Sequence, residues 1–185
     1  ISDEELRPFF PLPRVMSGLF SVLEKLYGLR VSQVEGIETW DQNAAYYQLT
    51  GKDDQPVGGF YVDFFARSNK RAGAWMDQCL NRGRDHGQVQ IPVAHLVCNY
   101  ARPSGDRPSL LTHDEVVTLF HEMGHVLHHL LTRIDYPSVA GINGVPWDAV
   151  ELPSQFMETF AWEPEVVSLC SAHYQTGEPL PAAIL

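Results

Sequence analysis

The spacing of apolar residues in the last third of the chain predicts a long amphipathic helix. From Val116 to Leu130, apolar side chains recur at steps of four, three, four and three residues, which places them on one face of a helix. Thr112 and Glu115, just upstream, form the Thr-x-x-Glu pattern of a capping box. The helix is therefore predicted to begin directly after Thr112 and to bury one continuous stripe.

Three further helices follow from the same periodicity and from the Pro and Gly residues near their ends. The first covers residues 12–28 and ends at Gly28. The second is predicted from about residue 148 to residue 161, with Pro153 distorting its early part, and the third from residue 164 to about residue 174. Helical segments are therefore expected at both ends of the chain.

The middle of the chain is rich in strand-forming residues. Residues 44–50 and 57–65 are separated by a turn-rich segment, which predicts an antiparallel pair, and residues 89–99 predict another strand. Residues 66–88 are polar and glycine-rich, so a loop is expected there, with one short strand near 72–76. The predicted fold class is α+β, with a small, mostly antiparallel sheet packed against long helices.

The composition supports a folded domain. The 185 residues are 44% hydrophobic and 19% charged, which excludes a disordered tail, a collagen-like repeat and a coiled coil. No apolar run is long enough to cross a membrane, so no membrane partner is expected. The length suits a single domain, 1–185, with an N-terminal helix in 1–30, a β-rich part in 31–107 and a helical part in 108–185.

The cysteines and the first residues bear on the compartment. Cys79, Cys98 and Cys170 lie far apart without a Cys-x-x-Cys pair, so we expect free thiols in a reducing, cytoplasmic environment. The chain begins with an acidic segment that lacks both a starting Met and an apolar signal core, which is not typical of a secretory peptide. We expect an internal piece of a longer protein or a processed chain.

The negative charge is concentrated in the helical part. The net charge of −10 argues against a nucleic-acid-binding surface. Residues 1–107 hold 12 Lys/Arg and 13 Asp/Glu, whereas residues 108–185 hold one basic residue, Arg133, and ten acidic ones. Five of the eight histidines also lie between His113 and His129. A solvated acidic face would explain the charge alone, but the histidines favour carboxylates arranged around a cation.

The sequence His121-Glu122-Met123-Gly124-His125 has the His-Glu-x-x-His spacing of a zinc site. On a helix, His121 and His125 project from the same face one turn apart, so both imidazoles can bind one metal ion. Glu122 is rotated by about 100° from His121 and is better placed to act as a general base than as a ligand. Gly124, which costs about 1 kcal/mol relative to Ala within a helix, indicates close approach of another element.

A third zinc ligand is expected from a later element, because the extended His-Glu-x-x-His-x-x-Gly-x-x-His pattern is absent. His128 and His129 lie one turn further along the same helix, where we expect them to support the ligands or simply to pack. Residues seven apart share a helix face, so Glu151 and Glu158 can act together, one as ligand and the other orienting a His N–H. Among the downstream carboxylates the pattern leaves several candidates open: Asp135, Asp148, Glu151, Glu158, Glu163 and Glu165.

Beyond these local patterns, the chain resembles a known family of zinc peptidases. The segment FHEMGHVLHHLLTRIDYPSVAGINGVPWDAVELPSQFMETFAWEP resembles the thimet oligopeptidase–neurolysin–oligopeptidase A family, particularly its bacterial oligopeptidase A branch. The segments YVDFFARSNKRAGAWMDQC, LLTHDEVVTLFHE and DEELRPFFPL are also similar to it. The resemblance covers essentially the whole chain and is most specific around HEMGH and VELPSQFME.

The resemblance implies a zincin-like fold and hydrolysis of peptide bonds in short oligopeptides by a metalloendopeptidase. It implies one Zn²⁺ held by His121, His125 and Glu151, with Glu122 as the catalytic base. Glu158, His128, His129 and Asp148 remain candidates for groups that support the ligands. Residues 71–75 alone allow either a tight turn or an edge strand, and the resemblance favours an edge strand that pairs with an extended peptide. The candidate residues of this substrate strand are Gly73, Ala74 and Trp75.

The resemblance also implies that residues 1–185 form a catalytic-region fragment, because family members are several times longer. The tyrosine, histidine and glycine-rich loop that stabilise the transition state in the family fall beyond Leu185. We therefore expect the chain alone to be weakly active or inactive. We also expect possible self-association through surfaces that the other domains would cover.

Two alternative functions remain open from the sequence. In the first, the chain binds zinc structurally with four protein ligands and catalyses nothing. In the second, it is a helical interaction module without a metal. Metal analysis distinguishes the metal-free interaction module from the two zinc-binding functions. A turnover assay distinguishes structural zinc binding from catalysis.

Overall fold

Within residues 3–181, the computed structural model contains five α-helices and seven β-strands. Residues 1, 2 and 182–185 belong to the predicted parts 1–30 and 108–185 but lie outside the described residues. In chain order the elements are α1 (Asp3–Leu6), α2 (Leu12–Tyr27), β1 (Arg30–Gln33), β2 (Ala45–Thr50), β3 (Pro56–Phe65), β4 (Trp75–Leu80), β5 (Gly83–Asp85), β6 (Gln88–Gln90), β7 (Val93–Tyr100), α3 (His113–Leu130), α4 (Leu152–Phe160) and α5 (Pro164–Cys170). None of the helices in this range combines the length and the apolar character needed to cross a membrane.

The main sheet has five strands in the order β1-β2-β3-β7-β4. All neighbouring pairs are antiparallel except β3 and β7, which run parallel. The predicted α+β class with a mostly antiparallel sheet is therefore confirmed. The predicted antiparallel pair is also present as β2 and β3, with Tyr47 opposite Phe60.

The strands differ from the prediction between residues 66 and 100. The short strand expected near 72–76 instead begins at Trp75 and continues to Leu80 as β4. The segment predicted as one strand, 89–99, divides into β6 and β7, and β6 forms a separate hairpin with β5. β1 was also missed. These strands were hard to predict because all four, β1, β4, β5 and β6, are largely exposed. β1, β5 and β6 are mainly polar, and β4 mixes apolar and polar residues without alternation.

Helix α3 packs its apolar stripe against the inner face of the sheet. The side chains predicted to form this stripe are all buried, and Phe120 and Met123 have no exposed surface. They belong to one core with inward-facing sheet residues such as Phe60 and Leu96. Replacing a buried Phe or Met by Ala costs about 2–5 kcal/mol, so this core fixes the position of α3 on the sheet.

The first turn of α3 carries the predicted capping box. The Thr112 hydroxyl accepts the Glu115 N–H at 3.1 Å, and the Glu115 carboxylate accepts the Thr112 N–H at 2.8 Å. Arg7 donates to the same carboxylate at 3.2 Å and to the Leu110 carbonyl at 3.0 Å. The start of α3 is thereby tied to the N-terminal segment as well as to its own cap.

Helix α4 begins at Leu152, later than the predicted start near residue 148. Pro153 lies in the first turn, where its missing N–H costs nothing, so it initiates the helix and does not distort it. The third helix, α5, is also shorter than predicted and ends at Cys170. A Cβ on Gly124 of α3 would lie 2.5 Å from the Pro153 carbonyl oxygen, so the absent side chain permits the contact between α3 and α4.

A buried ion network holds the segment that follows β3. The Asp63 carboxylate accepts hydrogen bonds from Arg67 at 2.7 and 2.8 Å, from Lys70 at 2.9 Å and from the Trp40 indole at 2.9 Å. The side chains of Lys70 and Asp63 are 4% and 5% exposed. Burial raises the pKa of Asp63, but the hydrogen bonds from Arg67, Trp40 and Lys70 outweigh it, and the pKa lies well below its ordinary value.

We predict that Asp63→Asn lowers the free energy of unfolding by about 3–5 kcal/mol at neutral pH, because it leaves Lys70 buried without its counter-charge. The lowered pKa sets the sign of the pH dependence. The stabilisation is present above the ordinary pKa of 3.8 and is lost as the pH falls below it towards the folded-state value. Urea unfolding at neutral pH and at acidic pH measures both effects.

The matched control is Asp106→Asn, at an exposed loop position. The control is expected to unfold like the unmodified chain at both pH values. Equal stability of the Asp63 and Asp106 variants would contradict the role assigned to the network.

Candidate metal centre

Three side chains from two elements converge on one point beside α3. The Oε2 atom of Glu151 lies 3.3 Å from His121 Nε2 and 3.0 Å from His125 Nε2. The three donor atoms lie within 4.8 Å of one another, and no other group of His, Cys, Asp or Glu in residues 3–181 meets this condition. The structure thus brings together the three residues that the sequence resemblance assigns as zinc ligands.

The position of Glu151 is fixed where the chain enters α4. Glu151 immediately precedes the helix, and the Ser154 hydroxyl donates to its carboxylate at 2.7 Å. This hydrogen bond, together with the nearby His125 and His121, lowers the pKa of Glu151 despite partial burial. Glu151 is therefore held as a carboxylate that faces both imidazoles.

Glu158 contacts the opposite nitrogen of one of these imidazoles. Its Oε1 atom is hydrogen-bonded to His121 Nδ1. An ionised carboxylate can only accept, so Nδ1 must carry the proton. In neutral His121 the lone pair then lies on Nε2, the atom that faces Glu151. Of the groups expected to support the ligands, Glu158 is the one that contacts a ligand imidazole.

Glu122 lies on the side of α3 that faces β4. It is 7% exposed, and its carboxylate accepts a hydrogen bond from the Met76 backbone N–H. Burial raises the pKa of Glu122, and the charge of Glu151 adds to this, whereas His121 and the Met76 N–H act in the opposite direction. A carboxyl group with a raised pKa beside the donor triad is suited to accept and return a proton.

The remaining histidine candidates lie away from the donor triad. His128 has its Nδ1 atom buried without a hydrogen-bond partner among the described residues. His129 is fully buried, and its Nε2 atom is 2.9 Å from the Leu80 carbonyl oxygen. His128 lines a cavity with Pro153 and Phe156 of α4, whereas His129 contacts β4. Both lie outside the donor triad, and a role in supporting the ligands stays a prediction.

The other acidic candidates are also outside the group. Asp148 is exposed in the turn before α4 and is not part of the donor triad, so its role in supporting the ligands stays a prediction. Asp135 instead pairs with Arg82 at 2.8 Å and with Arg84 at 2.7 Å. Glu163 and Glu165 flank the start of α5 and are absent from the triad.

The predicted substrate strand is displaced along the chain. Trp75 begins β4, whereas Gly73 and Ala74 lie in the preceding bend, where Gly73 has a positive φ of 89°. The Asn99 side chain holds this bend by donating to the Gly73 carbonyl at 2.7 Å. Among the described residues β4 is an edge strand of the sheet. Sequence reasoning missed Met76, whose contribution is a backbone N–H that no residue pattern reveals.

The donor set fits zinc. Two imidazole nitrogens and one carboxylate oxygen are ligands that Zn²⁺ binds, and three protein ligands are typical of catalytic sites that keep one position open. The side chains of His121, His125 and Glu151 are 25%, 14% and 50% exposed, so solvent reaches the point where they converge. A metal held there would be accessible to a water molecule and to a substrate.

Comparisons with known proteins place this site in context. Residues 1–185 match Peptidase family M3. The chain is 54% identical to oligopeptidase A of Haemophilus influenzae over 182 residues, which cover 98% of the chain and 27% of that protein. It is 52% identical to Escherichia coli oligopeptidase A, covering 100% and 27%, and 46% identical to the organellar oligopeptidase A of Arabidopsis thaliana, covering 100% and 24%.

The chain spans about a quarter of the length of these relatives. The family match and the sequence identity nevertheless extend along its whole length, through both helices that carry the donor triad. The chain therefore belongs to Peptidase family M3, the family of thimet oligopeptidase and oligopeptidase A.

Proposed function

We propose that this chain provides the metal centre and the general base of a zinc metalloendopeptidase that hydrolyses peptide bonds in short oligopeptides. The observation that carries the proposal is the convergence of His121 Nε2, His125 Nε2 and Glu151 Oε2 beside the buried Glu122 carboxylate. Membership of Peptidase family M3 and the relatives named oligopeptidase A support it. The zincin-like character of the fold belongs to the same proposal.

His121, His125 and Glu151 would hold one Zn²⁺. Bound zinc supplies Lewis acidity, which polarises a carbonyl group and lowers the pKa of water to about 7. Glu158 holds the His121 ring with Nε2 facing the Glu151 carboxylate, the orientation that would leave Nε2 available to the metal. Three donors in the described residues, rather than four, favour a catalytic over a structural zinc.

Glu122 performs the proton transfers in the proposed reaction. Its carboxylate accepts a proton from the attacking water and then donates it to the nitrogen of the leaving amine. The Met76 N–H fixes the carboxylate on the side of α3 that faces β4, and burial limits competing contacts with solvent. Such positioned acid–base catalysis contributes about 10²–10⁴-fold to a rate.

The peptide substrate is proposed to pair with the edge of β4 that no other described strand covers, between the contacts of Met76 with Glu122 and of Leu80 with His129. An edge strand offers backbone N–H and C=O groups to an extended peptide, and Met76 places this edge beside Glu122. Gly73 and Ala74 shape the bend that leads into the strand, and Trp75 is its first residue. These three residues remain the candidates for contact with substrate at the start of β4.

An apolar surface next to the site supports the proposed contacts with other domains or with a second copy. Trp147, Leu152 and Phe156 are 91%, 74% and 53% exposed, and they flank Glu151 in the sequence. We propose that residues 1–185 act as one catalytic region in three parts, in the cytoplasm. The three free cysteines support a reducing compartment.

We predict that the chain binds about one equivalent of zinc and that His125→Ala abolishes tight binding. Glu151→Gln should weaken binding because an amide is a poor zinc ligand, and Glu158→Gln should weaken it about 10–100-fold by releasing the His121 ring. Equilibrium dialysis with metal analysis measures each affinity.

The matched control is Glu165→Gln, which should bind like the unmodified chain. Loss of zinc in Asp148→Asn but not in Glu151→Gln would show that the third ligand is misassigned.

In the whole protein, Glu122→Gln should retain zinc and lose most of the peptidase activity, since the amide cannot accept the proton of water. The expected loss of kcat/KM is at least about 10²-fold. His125→Ala should lose both zinc and activity. Zinc content measured beside hydrolysis of a quenched-fluorescent peptide distinguishes the two variants, and near-normal turnover by Glu122→Gln would contradict the general-base role.

The 185-residue chain alone should turn over slowly even when loaded with zinc. By resemblance, the tyrosine, histidine and loop that stabilise the transition state follow Leu185, and loss of one oxyanion donor costs about 10²–10³-fold in rate. The assay is chelator-controlled cleavage of a quenched-fluorescent peptide. Chelator-sensitive turnover near the usual range of roughly 1–10³ per second would show that those groups are dispensable.

A further inference from the structure

Three arginines gather at the far end of β4. Arg82 Nε donates to Asp135 Oδ1 at 2.8 Å, and Arg84 donates to Asp135 Oδ2 through Nη2 at 2.7 Å. Arg133 and Arg84 line one open cavity of about 640 Å³ together with Asp135 and Tyr136. We refer to Arg82, Arg84 and Arg133 as the arginine cluster.

The arginine cluster is a local excess of positive charge in a chain whose net charge is −10. Asp135 balances one of its three charges, and Asp85, which follows Arg84 in β5, offsets another. Arg133 is exposed and is the only Lys or Arg among residues 108–185. It lines the same cavity as Arg84. Guanidinium groups bind carboxylates through paired hydrogen bonds, so the cavity is suited to a carboxylate ligand.

The direction of β4 links the arginine cluster to the donor triad. At the start of the strand, the Met76 N–H donates to Glu122, and at its end the Leu80 carbonyl is 2.9 Å from His129 Nε2. Because Glu122 precedes His129 on α3, β4 runs beside that helix in the same direction. Arg82 follows two residues after Leu80, outside the strand, so it lies at most about 20 Å from Met76 at roughly 3.3 Å per residue.

On the basis of the proposed function, we propose that the arginine cluster binds an acidic side chain of the peptide substrate. Antiparallel pairing is somewhat more stable per residue than parallel pairing, so the peptide should run antiparallel to β4. Its residues before the cleaved bond then extend towards Arg82. At roughly 3.3 Å per residue, the preferred Asp or Glu lies about four to six residues before that bond.

The test uses the zinc-loaded whole protein and quenched-fluorescent peptides that differ at one position. Glu or Gln is placed in turn at each position before the cleaved bond, and a second series compares a free C-terminal carboxylate with its amide. We expect the Glu peptide to exceed the Gln peptide by about two- to fivefold in kcat/KM at one or two upstream positions. The ratio should fall towards one near 1 M ionic strength, where the Debye length is about 3 Å.

Arg133→Gln should bring the Glu/Gln ratio close to one at those positions. The matched control is Arg14→Gln, an exposed arginine on α2, which removes the same charge and should leave the ratio unchanged. In the Glu122→Gln background, fluorescence anisotropy with the same peptides should give the same ratio of Kd values without cleavage.

Each outcome bears on one of the two proposals. Equal cleavage and equal binding of the Glu and Gln peptides at every position would overturn the role of the arginine cluster and leave the peptidase function intact. A preference only for the free C-terminal carboxylate would also overturn it, because the peptide would then run parallel to β4. If no peptide is cut by the zinc-loaded whole protein, the proposed function fails, and this inference fails with it.

Discussion

The contact between α3 and α4 at Gly124 is the constraint on which the candidate site depends. The two imidazoles come from α3 alone, but the carboxylate that faces them comes from the start of α4. Any side chain at Gly124 would meet the Pro153 carbonyl at 2.5 Å and the Ser154 Cα at 2.6 Å. The roughly 1 kcal/mol that Gly costs within a helix is therefore offset by a backbone approach that no other residue permits.

The sheet constrains the opposite side of α3. Its edge strand β4 contacts the helix at both ends, through Met76 with Glu122 and through Leu80 with His129. The two contacts hold the strand parallel to the helix axis. As a result the buried Glu122 carboxylate lies between α3 and β4, next to the donor triad. The apolar stripe that packs on β7 and β3 fixes the helix rotation that this arrangement requires.

Features that depend on residues close together in the chain could be predicted from the sequence. The capping box at Thr112, the buried stripe and the His pair on one helix turn all follow from helical periodicity. The identity of the third donor did not follow, because six downstream carboxylates satisfied the local pattern, and only the family resemblance selected Glu151. The edge strand was predicted several residues too early in the chain. Its side chains are largely exposed and its pairing with β7 is a long-range contact, so the local sequence does not define where it begins and ends.

The excess negative charge of residues 108–185 comes from carboxylates that have different partners. A solvated acidic face would leave these groups without specific partners, yet the structure gives several of them a defined contact. Glu115 caps α3 and pairs with Arg7, and Asp135 joins two arginines. Glu178 accepts a hydrogen bond from the Thr176 hydroxyl at 3.2 Å, and three more carboxylates, those of Glu122, Glu151 and Glu158, surround the His pair. Buried or partly buried carboxylates are costly unless paired, so their concentration beside two imidazoles supports the proposal that a cation binds there.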